Sequence, residues 1–106
     1  MIPARFYQGQ PGTGETTLYT VPAGKSVILK HIMVTNTTGS AATFTLSLVP
    51  SGGSPAASNR LYVATSVPAN SLVSLALSQV MNQGDFLSAL QPTTNALTMH
   101  ISGVLI

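Results

Sequence analysis

The sequence predicts an all-β fold, an antiparallel β-sandwich of jelly-roll-like form with about seven or eight short strands and an extended N-terminal arm. Three observations predict it. Short runs of β-branched, aliphatic and hydroxyl residues recur along the chain, divided by Gly, Pro and Asn. No segment carries a capped helical period, apart from one possible turn over 78–83. In 42–49 the residues Ala42, Phe44, Leu46 and Leu48 alternate with Thr43, Thr45, Ser47 and Val49. That alternation predicts one buried face and one hydroxyl face toward solvent.

The elements follow in order. Residues 1–15, rich in Gly, Pro and Gln, read as an arm, and 16–106 as a single sandwich domain. Strands are expected at 16–20, 26–36, 42–49, 60–66, 71–78, 86–91 and 96–106. The loops between them include TTGSA (37–41), PSGGSPAASN (50–59), NQGD (82–85) and PTTN (92–95). Two connections nearly repeat: Val21-Pro-Ala-Gly24 and Val67-Pro-Ala-Asn70. Proline is expected at the second position of each turn, where its fixed φ fits, and Gly24 or Asn70 at the fourth, where φ turns positive.

Composition narrows function. Charged residues make up 6% of the chain, against roughly a quarter in ordinary domains. A monomer usually keeps itself apart from its neighbours with mixed surface charge. Here either hydroxyls and amides solvate the surface or other subunits cover it. The +2 net charge rests on Arg5, Lys25, Lys30 and Arg60, scattered singly, so no nucleic-acid partner is expected. No apolar run is long enough to span a bilayer, the N-terminus has no signal-like h-region, and no membrane partner is expected. There is no cysteine.

Neither catalysis nor a cofactor is indicated. Glu15 and Asp85 are the two acids, one in the arm and one in a turn. His31 and His100 sit among aliphatics, with no HxH or HExxH spacing and no G-x-S-x-G elbow, so no catalytic residue and no metal site is assigned.

An interface is indicated instead. In 27–34, strict alternation puts Ile28, Lys30, Ile32 and Val34 on one face and Val27, Leu29, His31 and Met33 on the other. Both faces are largely apolar, as are those of 97–106. A two-layer sandwich has one interior, so a second cover is needed, and another subunit is the sharper choice. The expected contact residues are Phe6 and Tyr7 as arm anchors, with Ile28, Ile32, Val34, His100, Val104 and Ile106. Asn59, Arg60 and Tyr62 are expected as loop contacts.

The runs YTVPAGKSVILKHIMVTNTTG (19–39) and ATFTLSLVPSGG (42–53), with VPANS (67–71) and NQGD (82–85), resemble small virion proteins of tailed bacteriophages. These are β-sandwich chains of head-decoration, head-fibre or tail type. The resemblance lies in strand punctuation and carries over no functional residue. It implies a non-enzymatic structural protein of the virion, assembled in the host cytoplasm. It also implies a homotrimer that binds the major capsid protein or another virion protein, with no cofactor. The alternative is a receptor- or carbohydrate-binding fibre module using loops 37–41, 50–59 and 92–95 with Tyr62 or Tyr19 as a stacking platform. The lack of Trp weighs against that module.

Overall fold

A computed structural model describes residues 2–106. Eight strands run β1 (Ile2–Gly9), β2 (Thr16–Thr20), β3 (Val27–Asn36), β4 (Ala42–Val49), β5 (Arg60–Val67), β6 (Ser71–Met81), β7 (Phe86–Leu90) and β8 (Leu97–Leu105). They form two four-stranded antiparallel sheets, β1-β8-β3-β6 (sheet A) and β2-β7-β4-β5 (sheet B). The architecture is sandwich-like, with the core between the sheets. One 3₁₀ turn, Ala57–Asn59, lies in the β4–β5 loop. Among the described residues no helix is long and apolar enough to cross a membrane.

Within the segment expected as an arm, Ile2–Gly9 forms an edge strand. Ile2 to Gly9 pairs with β8 from Leu105 to Met99. The possible helical turn at 78–83 is also corrected, because β6 runs on to Met81. Its residues pair with β3, and ladder bonds outweigh a helical turn that has no cap.

The chain behaves as one long hairpin whose tip is the β4–β5 loop. β4 pairs with β5, β3 with β6, β2 with β7 and β1 with β8. Folding that hairpin over makes every connection except the tip cross between sheets. The pairing continues through the corners. Val21 N–H donates to Asp85 O at 2.9 Å, and Gly84 N–H to Val21 O at 3.0 Å. Asn70 N–H donates to Thr38 O, and Gln91 N–H to Gly12 O, each at 3.0 Å. Corners are where backbone groups leave their ladders, and these bonds keep them satisfied.

The two V-P-A turns are both crossings from sheet B to sheet A, with Val21 and Val67 buried before the proline. Positive φ falls as expected, 76° at Gly24 and 52° at Asn70. The first turn is shifted by one residue. Lys25 N–H donates to Pro22 O, so Pro22 is first and Gly24 third, the position that needs φ > 0 in a type II turn.

Three buried or turn side chains pin the corners. Asn36 Nδ2 donates to Ser40 O (2.9 Å) and Val67 O (3.1 Å), while its Oδ1 accepts from Thr38 N–H (2.9 Å). Gln91, 0% exposed, donates from Nε2 to Pro11 O (2.7 Å) and accepts at Oε1 from Leu97 N–H (2.8 Å). Asp85 accepts from the Ser51 and Asn82 amides at 3.0 and 2.9 Å.

Sheet A breaks its alternation at one place. Phe6 in β1 and Lys30 in β3 are extra residues, and both insertions flank Ser102 of β8. A one-residue bulge swaps the faces of everything beyond it. Val27 and Leu29 point inward, and then Ile32, Val34 and Asn36 do. The strict alternation expected over 27–34 is therefore corrected. Ile32 and Val34, expected at an interface, are 0% exposed and form the core with Phe44, Leu46, Leu87, Met99 and Ile101. Phe6 also turns inward, where its ring meets Tyr19 at 4.9 Å.

The bulge needs Gly103. A Cβ there would fall on the Ile28 carbonyl oxygen and lie 3.0 Å from the Phe6 ring. Gly103→Ala is expected to lower unfolding stability by about 3 kcal/mol. Gly39→Ala, with open space around it, should change little. Urea denaturation of both variants checks the contrast. By the same measurement Gln91→Ala should cost about 2–3 kcal/mol, because Leu97 N–H would be buried without its acceptor.

Candidate interaction surfaces

The outer face of sheet B is closed by a charged strap. Among the described residues the one ion pair joins Arg60 Nη1 to Glu15 Oε2 at 2.7 Å. The same Nη1 lies 2.7 Å from Ser47 Oγ, and Ser88 Oγ donates to Glu15 Oε1 at 3.3 Å. Ser47 and Ser88 face each other across β4 and β7. The strap buries both, although hydroxyls on that face were expected to meet solvent. Arg60, expected as a loop contact, is thus a cross-sheet tie reaching back to the segment before β2.

The other expected contacts divide. Asn59 works inside its own loop, accepting from Ala56 N–H and donating to Ser54 O, each at 3.0 Å. Tyr62 is half-buried with its ring 6.0 Å from Phe44. Tyr62 and Tyr19 both pack against the core, so neither ring lies free as a stacking platform. The three loops proposed for a binding module do not converge. Loops 37–41 and 92–95 follow the Asn36–Leu97 end of sheet A. Loop 50–59 lies at the opposite end, where Ser51 bonds Asp85.

Tyr7 packs against the core at the β1 edge, and burial pushes its hydroxyl above the ordinary tyrosine range. The remaining expected residues, Ile28, His100, Val104 and Ile106, are exposed or half-buried. Ile28, His100 and Val104 lie on the outer face of sheet A, and Ile106 follows β8 at the same end as Val104. His31 is on that face too, its Nε2 2.7 Å from Ser74 Oγ, while His100 lies opposite Met33. Among the described residues no three His, Cys, Asp or Glu side chains gather where they could hold a metal. Glu15 and Asp85 are committed at different places, one to the strap and one to the β6–β7 corner.

Strand register lines up the outer face of sheet A in rows. Pro3, Val104, Ile28 and Val80 sit side by side across β1, β8, β3 and β6. This apolar row spans the sheet and ends at β6, where Val80 is 62% exposed. Sequence reasoning missed Pro3 and Val80, because a row is a product of register. Neither lies in a run that marks it.

The strap is partly open to water, with side-chain exposures of 23% and 31%, so its ionic part is worth little. Glu15→Gln should destabilise by less than about 1 kcal/mol, an effect that shrinks at high salt. Arg60→Met should cost more, roughly 1–2 kcal/mol, because buried Ser47 loses its partner. Chemical denaturation at low and high salt measures both.

A scan against protein-family models and searches of curated proteins and of solved structures find no match to this chain.

Proposed function

We propose that this chain is a non-enzymatic structural protein of a virion, a decoration or head/tail-associated component that self-associates as a homotrimer and binds the particle lattice. The observation that carries the reading is the apolar row Pro3–Val104–Ile28–Val80, which runs off the sheet at the uncharged edge strand β6. β6 is an eleven-residue edge strand with no charge and no proline, and it also exposes Leu72. Edge strands that stand alone usually carry such guards. A covering subunit removes the need for them.

The strand orders lend further support. The orders β1-β8-β3-β6 and β2-β7-β4-β5, with the hairpin-like pairing of the whole chain, support a jelly-roll reading of the sandwich. That architecture recurs in viral capsid domains and also in lectins, so it supports the class of protein by analogy only. Between those two, the packed Tyr19 and Tyr62 rings favour the structural reading. The mechanism is cementing. Apolar area shared between copies adds roughly 25 cal/mol per Å² to the work of separating them.

Light scattering over a hundredfold dilution tests the reading. A constant trimer mass is expected. Ile28→Asp and Val104→Asp should then give a folded chain of lower mass, because these side chains face outward. Ile32→Asp should instead unfold the chain, because it places a charge in the core. A wild-type monomer, or outward variants that keep the trimer mass, would overturn the interface.

A further inference from the structure

One row in from the apolar row, the two bulges open a shallow groove across β1, β8 and β3. It holds about 420 Å³ and is lined by Pro3, Ala4, Arg5, Lys30, Ser102 and Gly103. Its two cations stand on either side of β8, because the Phe6 and Lys30 insertions both fall beside Ser102. Arg5 Nη1 donates only to Gln8 Oε1 (2.9 Å), and Lys30 Nζ reaches only Ser78 Oγ, at 3.5 Å. Among the described residues neither cation meets a carboxylate.

We infer that this groove docks an acidic segment of a different protein, with a side-chain carboxylate between Arg5 and Lys30 over the floor of Ala4, Ser102 and Gly103. Charge complementarity selects the occupant. Both acidic side chains of this chain are already used, Glu15 by Arg60 and Asp85 by the Ser51 and Asn82 amides. A second copy therefore has no carboxylate side chain to offer and would bring further cations. Nucleic acid fits less well. Two cations beside an apolar row make no track of charge along a phosphate backbone. The Arg5 guanidinium can grip a carboxylate in two-point fashion, and Lys30 adds a movable point charge.

The groove lies over β1, β8 and β3, and the inference does not require self-association. The test is an amide NMR titration of the full chain with the capped peptide Leu-Glu-Val-Glu-Leu, at up to about 1 mM, a concentration that reveals weak docking. Saturable shifts at Arg5, Lys30, Ser102 and Gly103 are expected. The matching Leu-Gln-Val-Gln-Leu peptide and the Arg5→Gln/Lys30→Gln variant should each weaken binding roughly fivefold or more. Added salt should weaken the acidic peptide alone. Equal binding by the glutamine peptide, unchanged binding by the double variant, or no shift at these residues would overturn the inference. So would a stronger response at the same amides to a thymidine 12-mer or to inorganic phosphate. A chain that scatters as a monomer yet binds the acidic peptide keeps this inference and loses only the oligomer.

Discussion

Sheet A depends on the close approach of β8 to β3 at Gly103. The absence of a side chain there lets the Ile28 carbonyl come in where an ordinary residue would stop it. That approach accommodates the extra residue at Lys30, and the extra residue sets the phase of β3 for the rest of its length. Ile32 and Val34 reach the core because of it. On β1 the matching insertion turns Phe6 inward onto Tyr19, which joins the edge of sheet A to the edge of sheet B. Bulges also bend and twist the strand that carries them. Here they leave a depression on the outer face, with the two cations at its sides. Core phase, edge packing and surface groove thus share one cause.

With few charges, the chain holds its corners with amides and carboxylates facing the backbone. Asn36, Gln91 and Asp85 each sit where the chain leaves one sheet for the other. Each bonds backbone groups that would otherwise lose their ladder partners, and no buried side-chain polar atom among the described residues lacks a partner. Three of these contacts span long stretches of sequence, 31 residues for Asn36 to Val67, 34 for Asp85 to Ser51 and 80 for Gln91 to Pro11. They therefore form only once the hairpin has folded over, which makes the corners late and cooperative parts of the structure.

Strand existence was legible in the sequence because turn chemistry is local. Gly24 and Asn70 show the positive φ that their residue types favour, and every run between such punctuation became a strand. Facing was legible only where alternation is unbroken, as in Ala42–Leu46 and Leu97–Ile101. It failed at β3, where apolar residues on both sides of Lys30 give no mark of a missed beat. The strand at Ile2–Gly9 is hidden in the sequence for a related reason. Ile2–Gly9 has weak strand propensity, and its place beside β8 comes from pairing across nearly the whole chain. The Arg60 strap, the apolar row and the groove are all products of register. None could be read before the register was known.

The four sheet edges are treated unequally, and that inequality bears on how the molecule meets others. β1 carries Pro3, Arg5 and a bulge; β2 is five residues long and bulged. β5 is broken at Ala64, whose φ of 45° is unusual for a residue with a Cβ, and it begins with Arg60. Each of these is a known way to stop an edge from pairing with another chain. β6 has Ser71, Ser74 and Ser78 for solvation and no charge at all, while Leu72 and Val80 stand out from it. β6 shares the sheet's bulge, with Leu77 and Ser78 facing Lys30, yet it is the longest edge and carries neither charge nor proline. Of the groove's two cations, Arg5 lies on the opposite edge strand and Lys30 on the strand beside β6. On the proposed reading, the apolar row with the β6 edge would serve like copies and the groove an acidic segment.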